Sequence, residues 1–391
     1  MRRDTLWSRR AFLQGIGYTS GIGLLHKIAP VSKIPGTTRS DVAPKNGFAY
    51  VGSADGVGTS GIHVFEIRGD QWKWKQSIPS CSPVSLLLHP NQQSLYVVNE
   101  VDEHEGLPRG TVEAYRIDAH DGSLALMNRQ PLSLSGIKPR HTAVSPDGNY
   151  LVVAIHGGGA YNVLPLAHDG AVQRVSQIMK EVGAGTHPHY QASAHPHTVA
   201  FDATGQYLLA TDEGCDRINL FTFQNGRMMR TRQTLSQPAS GPGHLATHPS
   251  GNFFYVSNTL DRSIDCYRCA NEAEIRHEQR IATHSKTASG ETQQIVIPSS
   301  GRNLYAASDE GISVWEIDPI TGKLSAIQQW RIKNRSLRAL ILSSDHQHLL
   351  VADSSQHELL SVPIHAESGK LGAPSIVAIA ISATSLAVKY I

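Results

Sequence analysis

The chain has 391 residues, with 34 Gly, 20 Pro and only 6% aromatic residues, a profile that suits many short strands joined by turns. Its 35 Lys and Arg against 33 Asp and Glu leave a formal charge of +2 without a long basic run, so the electrostatic footprint of a nucleic-acid partner is missing. The length exceeds one ordinary domain, but repeat architectures pass that limit as single units.

Residues 1–30 read as a twin-arginine export signal. Arg9 and Arg10 precede Phe12 and Leu13, then a mildly apolar, Gly-rich run through Ile16, Ile22, Leu24 and Leu25. That run is too short to span a bilayer comfortably. The signal implies passage of a folded chain through the Tat translocon and work in the periplasm or outside the cell, with the segment kept as an anchor if it is not cleaved. Residues 31–46 read as a linker and residues 47–391 as the folded body.

From Phe48 onward one pattern recurs: a turn, then a short apolar strand. Equivalent positions are Ala49, Leu95, Leu151, Leu208, Phe254, Leu304 and Leu349, with gaps of 46, 56, 57, 46, 50 and 45 residues. Most copies follow a turn such as Ser145 to Gly148, Asp202 to Gly205 or His248 to Gly251, where glycine supplies the backbone freedom a tight turn needs. A third, alternating strand comes next, as in Thr111 to Ile117 and Gly311 to Ile317. A second turn family, Asp118 to Leu124, Asp318 to Leu324 and His365 to Leu371, leads into a fourth. Seven units of four strands at this spacing predict an all-β, seven-bladed propeller with antiparallel blades. Ser382 to Val388 matches Ser82 to Leu88, the innermost strand of the second unit, whereas the first unit lacks an innermost strand. The C-terminal strand is therefore expected to complete the first blade and close the ring.

The four cysteines are Cys81, Cys215, Cys266 and Cys269. Cys266 and Cys269 fall in one strand, three residues apart and on opposite faces, which is too far for a strain-free disulfide.

In a propeller the innermost strands surround an axial channel, so ligand chemistry is expected where those strands start and where the second strands end. The starts are Pro83 to Ser85, Pro139 to His141, His195 to His197, Pro242 to His244, Thr292 to Gln294, Leu337 to Ala339 and Thr384 to Ser385. The second strands end at Asn99-Glu100, His156 to Gly159, Asp212 to Gly214, Asn258-Thr259, Asp309 and Asp353. The alternation of a strand puts His195 and His197 on one face. Gly157 to Gly159 reads as a tight turn, because no helix follows to make a nucleotide-binding loop.

These residues resemble the lactonase family of seven-bladed propellers, which includes bacterial 6-phosphogluconolactonases and fungal carboxymuconate-lactonising enzymes. The resemblance runs over about residues 47–391. It rests on Ala194 to Asp202 with Asp212 to Arg217, on Pro83 to Ser85 with Asn99-Glu100, on His141 with Gly157 to Gly159, and on Gly241 to His244 with Asn258. It implies a lactone hydrolase acting on a sugar lactone, a small-molecule substrate, with no cofactor or metal. His195, His197, Arg140, Glu100 and Asp212 are the expected catalytic groups. His141, Arg217, Asp216, His244, Asn258, Asn99 and Arg338 are the expected substrate contacts. His187 and His189, near His195 and His197, invite a zinc, copper or nickel reading, but the H-x-H pair belongs to the family pattern. Gly243, Thr259 and Asp309 stand where the family carries an Arg, a Glu and an Arg. These replacements leave open an alternative, a non-catalytic propeller that binds a carbohydrate, peptide or partner protein at its axial mouth.

Overall fold

The computed structural model describes residues 46–391 apart from 55–59, 70, 203, 272–273, 284–293, 309–310, 333–334 and 380–381. The expected export signal, residues 1–30, and all but the last residue of the expected linker lie outside the described residues. The described residues form seven antiparallel sheets of four strands, arranged as blades around a channel of about 1690 Å³ that every innermost strand lines. Blades two to seven occupy 83–131, 139–180, 196–235, 242–282, 295–331 and 337–379. Blade one combines 46–79 with the last strand, Ala383–Tyr390, which pairs antiparallel with Asn46–Ser53 from Gly47↔Tyr390 to Ser53↔Ala383. The expected closure of the ring is thus observed.

Each blade is sandwiched between two others, and this sets its burial. The second strand Ser94–Asn99 is buried at every position, whereas the outermost Arg227–Leu235 is mostly exposed. The third strands depart from the expected in-and-out alternation, because Glu113, Asn219 and Asp265 are fully buried. A buried carboxylate is tolerated only when hydrogen-bonded. Glu113 accepts bonds from Ser80 (2.7 Å), Tyr115 (2.8 Å) and Arg129 (2.8 Å from Nε). Asp265 is held by Asn258 (2.7 Å) and His277 (2.8 Å).

Neighbouring blades are joined by two repeated devices. In the first, a tyrosine of the second strand donates to the carbonyl of the glycine in the next blade's turn: Tyr50 to Gly122 (3.2 Å), Tyr96 to Gly170 (3.0 Å), Tyr255 to Gly322 (2.7 Å) and Tyr305 to Gly369 (2.8 Å). These include the glycines of the second turn family, and Gly122 has φ +71°, a conformation that costs glycine nothing. In the second, a side-chain amide on the fourth strand imitates a strand partner, donating to and accepting from one residue of the next blade. Gln279 does so with Leu324 (3.1 and 2.6 Å), and Gln76, Asn128, Gln177 and Gln328 do so with Leu124, Val172, Met228 and Leu371. At the matching register the fourth strands of blades four and seven carry Arg232 and Ser375, neither of which has an amide.

The cysteines of the described chain are free; Cys266 is fully buried. Gly157 to Gly159 form the expected tight turn, in which a Cβ on Gly158 would come within 2.1 Å of the Ser135 carbonyl.

Replacing Gln279 by Ala removes both bonds of one clamp and is expected to cost about 2 kcal/mol, read as a lower urea midpoint at unchanged slope. Deleting residues 383–391 is expected to abolish cooperative unfolding, and a truncated chain that melts like the full chain would refute closure by the last strand.

Candidate functional site

Four of the innermost strands begin with proline, at Pro83, Pro139, Pro196 and Pro242. Proline has no N–H to give to a ladder, so it is at home at a strand's first position. Immediately after this first position six innermost strands carry a β-bulge. Pro139 pairs with Ile155 and His141 with Ala154, leaving Arg140 as the extra residue. Likewise His197 and Thr198 lie between the pairs Pro196↔Asp212 and Val199↔Ala210, and Gly243 and His244 between Pro242↔Asn258 and Leu245↔Val256. Arg338 is the extra residue of blade seven. Bulges re-aim side chains, and here the re-aimed residues line one mouth of the channel. The bulge also breaks the alternation that was expected to put His195 and His197 on one face.

The mouth is built around His197, which is 2% exposed. Its ring lies 5.0 Å from that of His244 and 6.2 Å from that of His156, and its Nδ1 is 3.0 Å from Thr198 Oγ1. Burial pushes His197 well below the ordinary imidazole value, assisted by His244, Arg140, His156 and His141. Burial likewise lowers His141 to about 4. It lowers His244 to about 3, with His141 and Arg140 adding to the effect. These three imidazoles are therefore neutral at neutral pH. Arg140 Nε approaches Glu100 Oε1 only to 3.7 Å. Arg140 Nε and His141 Nδ1 are both buried without a hydrogen-bond partner among the described residues.

The expected site residues separate into two groups. Glu100, Arg140, His141, His197, His244 and Arg338 line the channel. His195, Asp212, Asp216, Arg217, Asn99 and Asn258 do not, and each has a structural engagement instead. His195 stands behind His156, rings stacked at 4.7 Å, with Nδ1 3.0 Å from the His156 carbonyl. Asp212 accepts from the backbone N–H groups of His195 (2.8 Å) and Gly214 (3.0 Å), so it shapes the turn rather than orienting an imidazole; burial raises its carboxyl above the ordinary value. Glu100 faces Arg140 rather than an imidazole. Asp216 accepts from Gln191 (2.8 Å), Ala239 (2.7 Å) and Gly241 (2.8 Å), and Arg217 donates to the Val182 carbonyl (2.8 Å). Asn99 donates to Ser80 (2.8 Å) and the Cys81 carbonyl (2.9 Å), and Asn258 to Ser263 (2.9 Å) and Asp265.

Of the three replaced family positions, Gly243 and Thr259 are buried in blade five and do not line the channel; Asp309 lies outside the described residues. His187 pairs with His189, not with His195 and His197, and among the described residues no three His, Cys, Asp or Glu side chains are grouped to hold a metal ion.

Two channel residues fall in the second-strand ends expected to carry ligand chemistry but are not among the expected catalytic or substrate-contacting groups. His156 Nε2 is 3.1 Å from Glu213 Oε2, with the two side chains 20% and 13% exposed, and both line the channel. They occupy the position of Glu100, directly after the last residue of a second strand. Equivalence to Glu100 in the repeat is the signal that singles them out within those segments. Arg262, in the turn after Asn258, also lines the channel.

Residues 48–379 match the family described as lactonase, 7-bladed beta-propeller. The 6-phosphogluconolactonase of Bacillus subtilis is 25% identical over 332 residues, covering 82% of this chain and 92% of the relative. That of Formosa agariphila is 26% identical over 335 residues, covering 82% and 94%. Among solved structures, the periplasmic gluconolactonase of Pseudomonas aeruginosa superposes with a TM-score of 0.77 at 25% identity, over 88% of this chain and 99% of the other. A putative 6-phosphogluconolactonase of Bacteroides fragilis gives 0.78 at 23% identity, over 90% and 100%, a likeness of fold. With the family match spanning most of the chain and a closed ring of seven four-stranded blades to carry it, the chain belongs to the lactonase family of seven-bladed β-propellers.

Proposed function

We propose that this chain is a lactone hydrolase that opens a sugar lactone with water, working outside the cytoplasm after twin-arginine export. The observation that carries the reading is the meeting, at one channel mouth, of a carboxylate-held imidazole, His156 with Glu213, and a channel-lining guanidinium, Arg140. The relatives named 6-phosphogluconolactonase support the reaction class. The periplasmic gluconolactonase supports both the compartment and a substrate without phosphate. The glycine at 243, where the family carries an arginine, also suits a less charged substrate.

Opening a lactone needs a proton acceptor for the attacking water and a donor for the oxygen that becomes negative. Glu213 holds His156 at Nε2, so the proton from water goes to Nδ1, and the carboxylate stabilises the imidazolium that forms. Water oxygen bonds to the carbonyl carbon as the Arg140 guanidinium donates to the developing oxyanion. Collapse breaks the ring C–O bond, and His156 returns its proton to the departing alkoxide, giving the hydroxy acid. The neutral rings of His141, His197 and His244 surround this centre without adding positive charge, so the cationic donors that line the channel are guanidinium groups, Arg140 together with Arg262 and Arg338.

Hydrolysis of D-glucono-1,5-lactone, followed above its spontaneous rate, tests the proposal. His156→Ala is expected to lower kcat by about 10²-fold or more, and Arg140→Gln by about 10²-fold. Glu213→Gln should give a smaller loss with an altered pH profile. A wild-type rate no higher than the spontaneous one would overturn the reading.

The neutral histidines also set the acid response. In the unfolded chain they protonate near about 6.5, whereas in the fold His141 and His244 resist until about 4 and about 3. Between those limits the unfolded state binds more protons, so stability falls as pH drops below about 6.5. His244→Gln is expected to flatten the dependence of melting temperature on pH between 6.5 and 4. An unchanged slope would show that His244 is not held neutral.

A further inference from the structure

We propose that Tyr190 is a stacking platform for the sugar ring at the channel mouth, a specificity residue of the hydrolase proposed above. The connection from Lys180 to Pro196 is the longest passage between blades, where others such as Pro79 to Pro83 are short; an ordered connection of this length is usually functional. It is tied down at Gln191, 1% exposed, whose amide donates to the Glu213 carbonyl and to Asp216, both at 2.8 Å. The Gln191 Oε1 in turn accepts from the His187 N–H at 2.9 Å. Tyr190 is 61% exposed and lines the channel together with Glu100, Arg140, His156 and Glu213.

A large aromatic ring left in water forgoes the stabilisation of burial. Here the ring is also supported from one side and its backbone is held. His187 packs against it at 4.9 Å, and His187 Nδ1 accepts from the N–H groups of His189 (3.3 Å) and Tyr190 (3.4 Å). His187 thus buttresses one side of the aromatic ring. Such support lowers the ordering cost that a mobile side chain would impose on a ligand. The ligand that matches a supported aromatic face beside a guanidinium and carboxylates is a carbohydrate ring, with C–H groups on one face and hydroxyls around its edge. Stacked on Tyr190, the ring of the lactone would present its edge to Glu100 and Arg140.

The test is steady-state hydrolysis of D-glucono-1,5-lactone by wild type, Tyr190→Phe and Tyr190→Ala. We expect Phe to leave KM within about twofold and Ala to raise it about tenfold or more, with kcat within about threefold of wild type for both. His187→Ala, which leaves the ring in place but unsupported, should give an intermediate KM. An Ala variant with wild-type KM overturns the platform. Saturation-transfer NMR with D-gluconate separates this proposal from the hydrolase reading. If wild type opens no lactone but binds gluconate through its ring protons, and Tyr190→Ala loses that signal, the platform stands and the hydrolase reading falls. If wild type gives no signal and no hydrolysis, the platform falls too.

Discussion

The pairing of the last strand with the first blade is the constraint on which the rest depends. Ala383–Tyr390 lies beside Asn46–Ser53, so residues more than 300 positions apart share one sheet, and Thr384 reaches the Pro83 carbonyl of blade two at 2.8 Å. Without that strand blade one would have no wall on the channel. With it the seven innermost strands share one axis, and every residue at the start of such a strand is delivered to the same mouth. Convergence of side chains from blades as far apart in sequence as Glu100 and Arg338 is a product of closure before it is a product of local structure.

The site then follows from two positions of the repeat. One is the bulge at the start of the innermost strand, which supplies Arg140, His197 and Arg338. The other is the residue after the second strand, which supplies Glu100, His156 and Glu213. Blade five, with Gly243 and Thr259 at these two positions, contributes His244 and, from the turn after its second strand, Arg262. The polar weight of the mouth therefore lies over blades two to four. A repeat fold can keep a chemical group while moving it between blades, because equivalent positions face the same axis.

Much of the fold could be read from sequence because its signals are local. The glycines of the turns, the apolar second strands and the match of Ser382 to Val388 with Ser82 to Leu88 need only neighbours along the chain. The site was legible only to the level of which segments meet. Choosing between His156 and His195 needed the geometry of two blades, since the carboxylate that holds His156 is 57 residues away. The bulges at Arg140 and His197 break strand alternation, and a bulge leaves no periodic trace. Asn99, Asn258 and Asp216 illustrate the converse difficulty. Polar residues at strand ends look like ligand contacts, yet their amides and carboxylate are occupied by buried donors and acceptors. The amide clamps were equally hidden, because a glutamine in an exposed outer strand carries no sign of the backbone it will meet in the next blade.

The clamps are absent at matching register from the junctions of blades four with five and seven with one. The hydrogen bonds that join blades four and five lie close to the axis instead. Thr211 donates to the Gly243 carbonyl at 2.6 Å, and Asp216 gathers the Ala239 and Gly241 amides. The directional bonds of that junction are thus concentrated beside His197 and His244, where they hold the spacing of the two imidazoles, while farther out the same two blades meet through the non-directional packing of Leu220 against Tyr267 and Ile275.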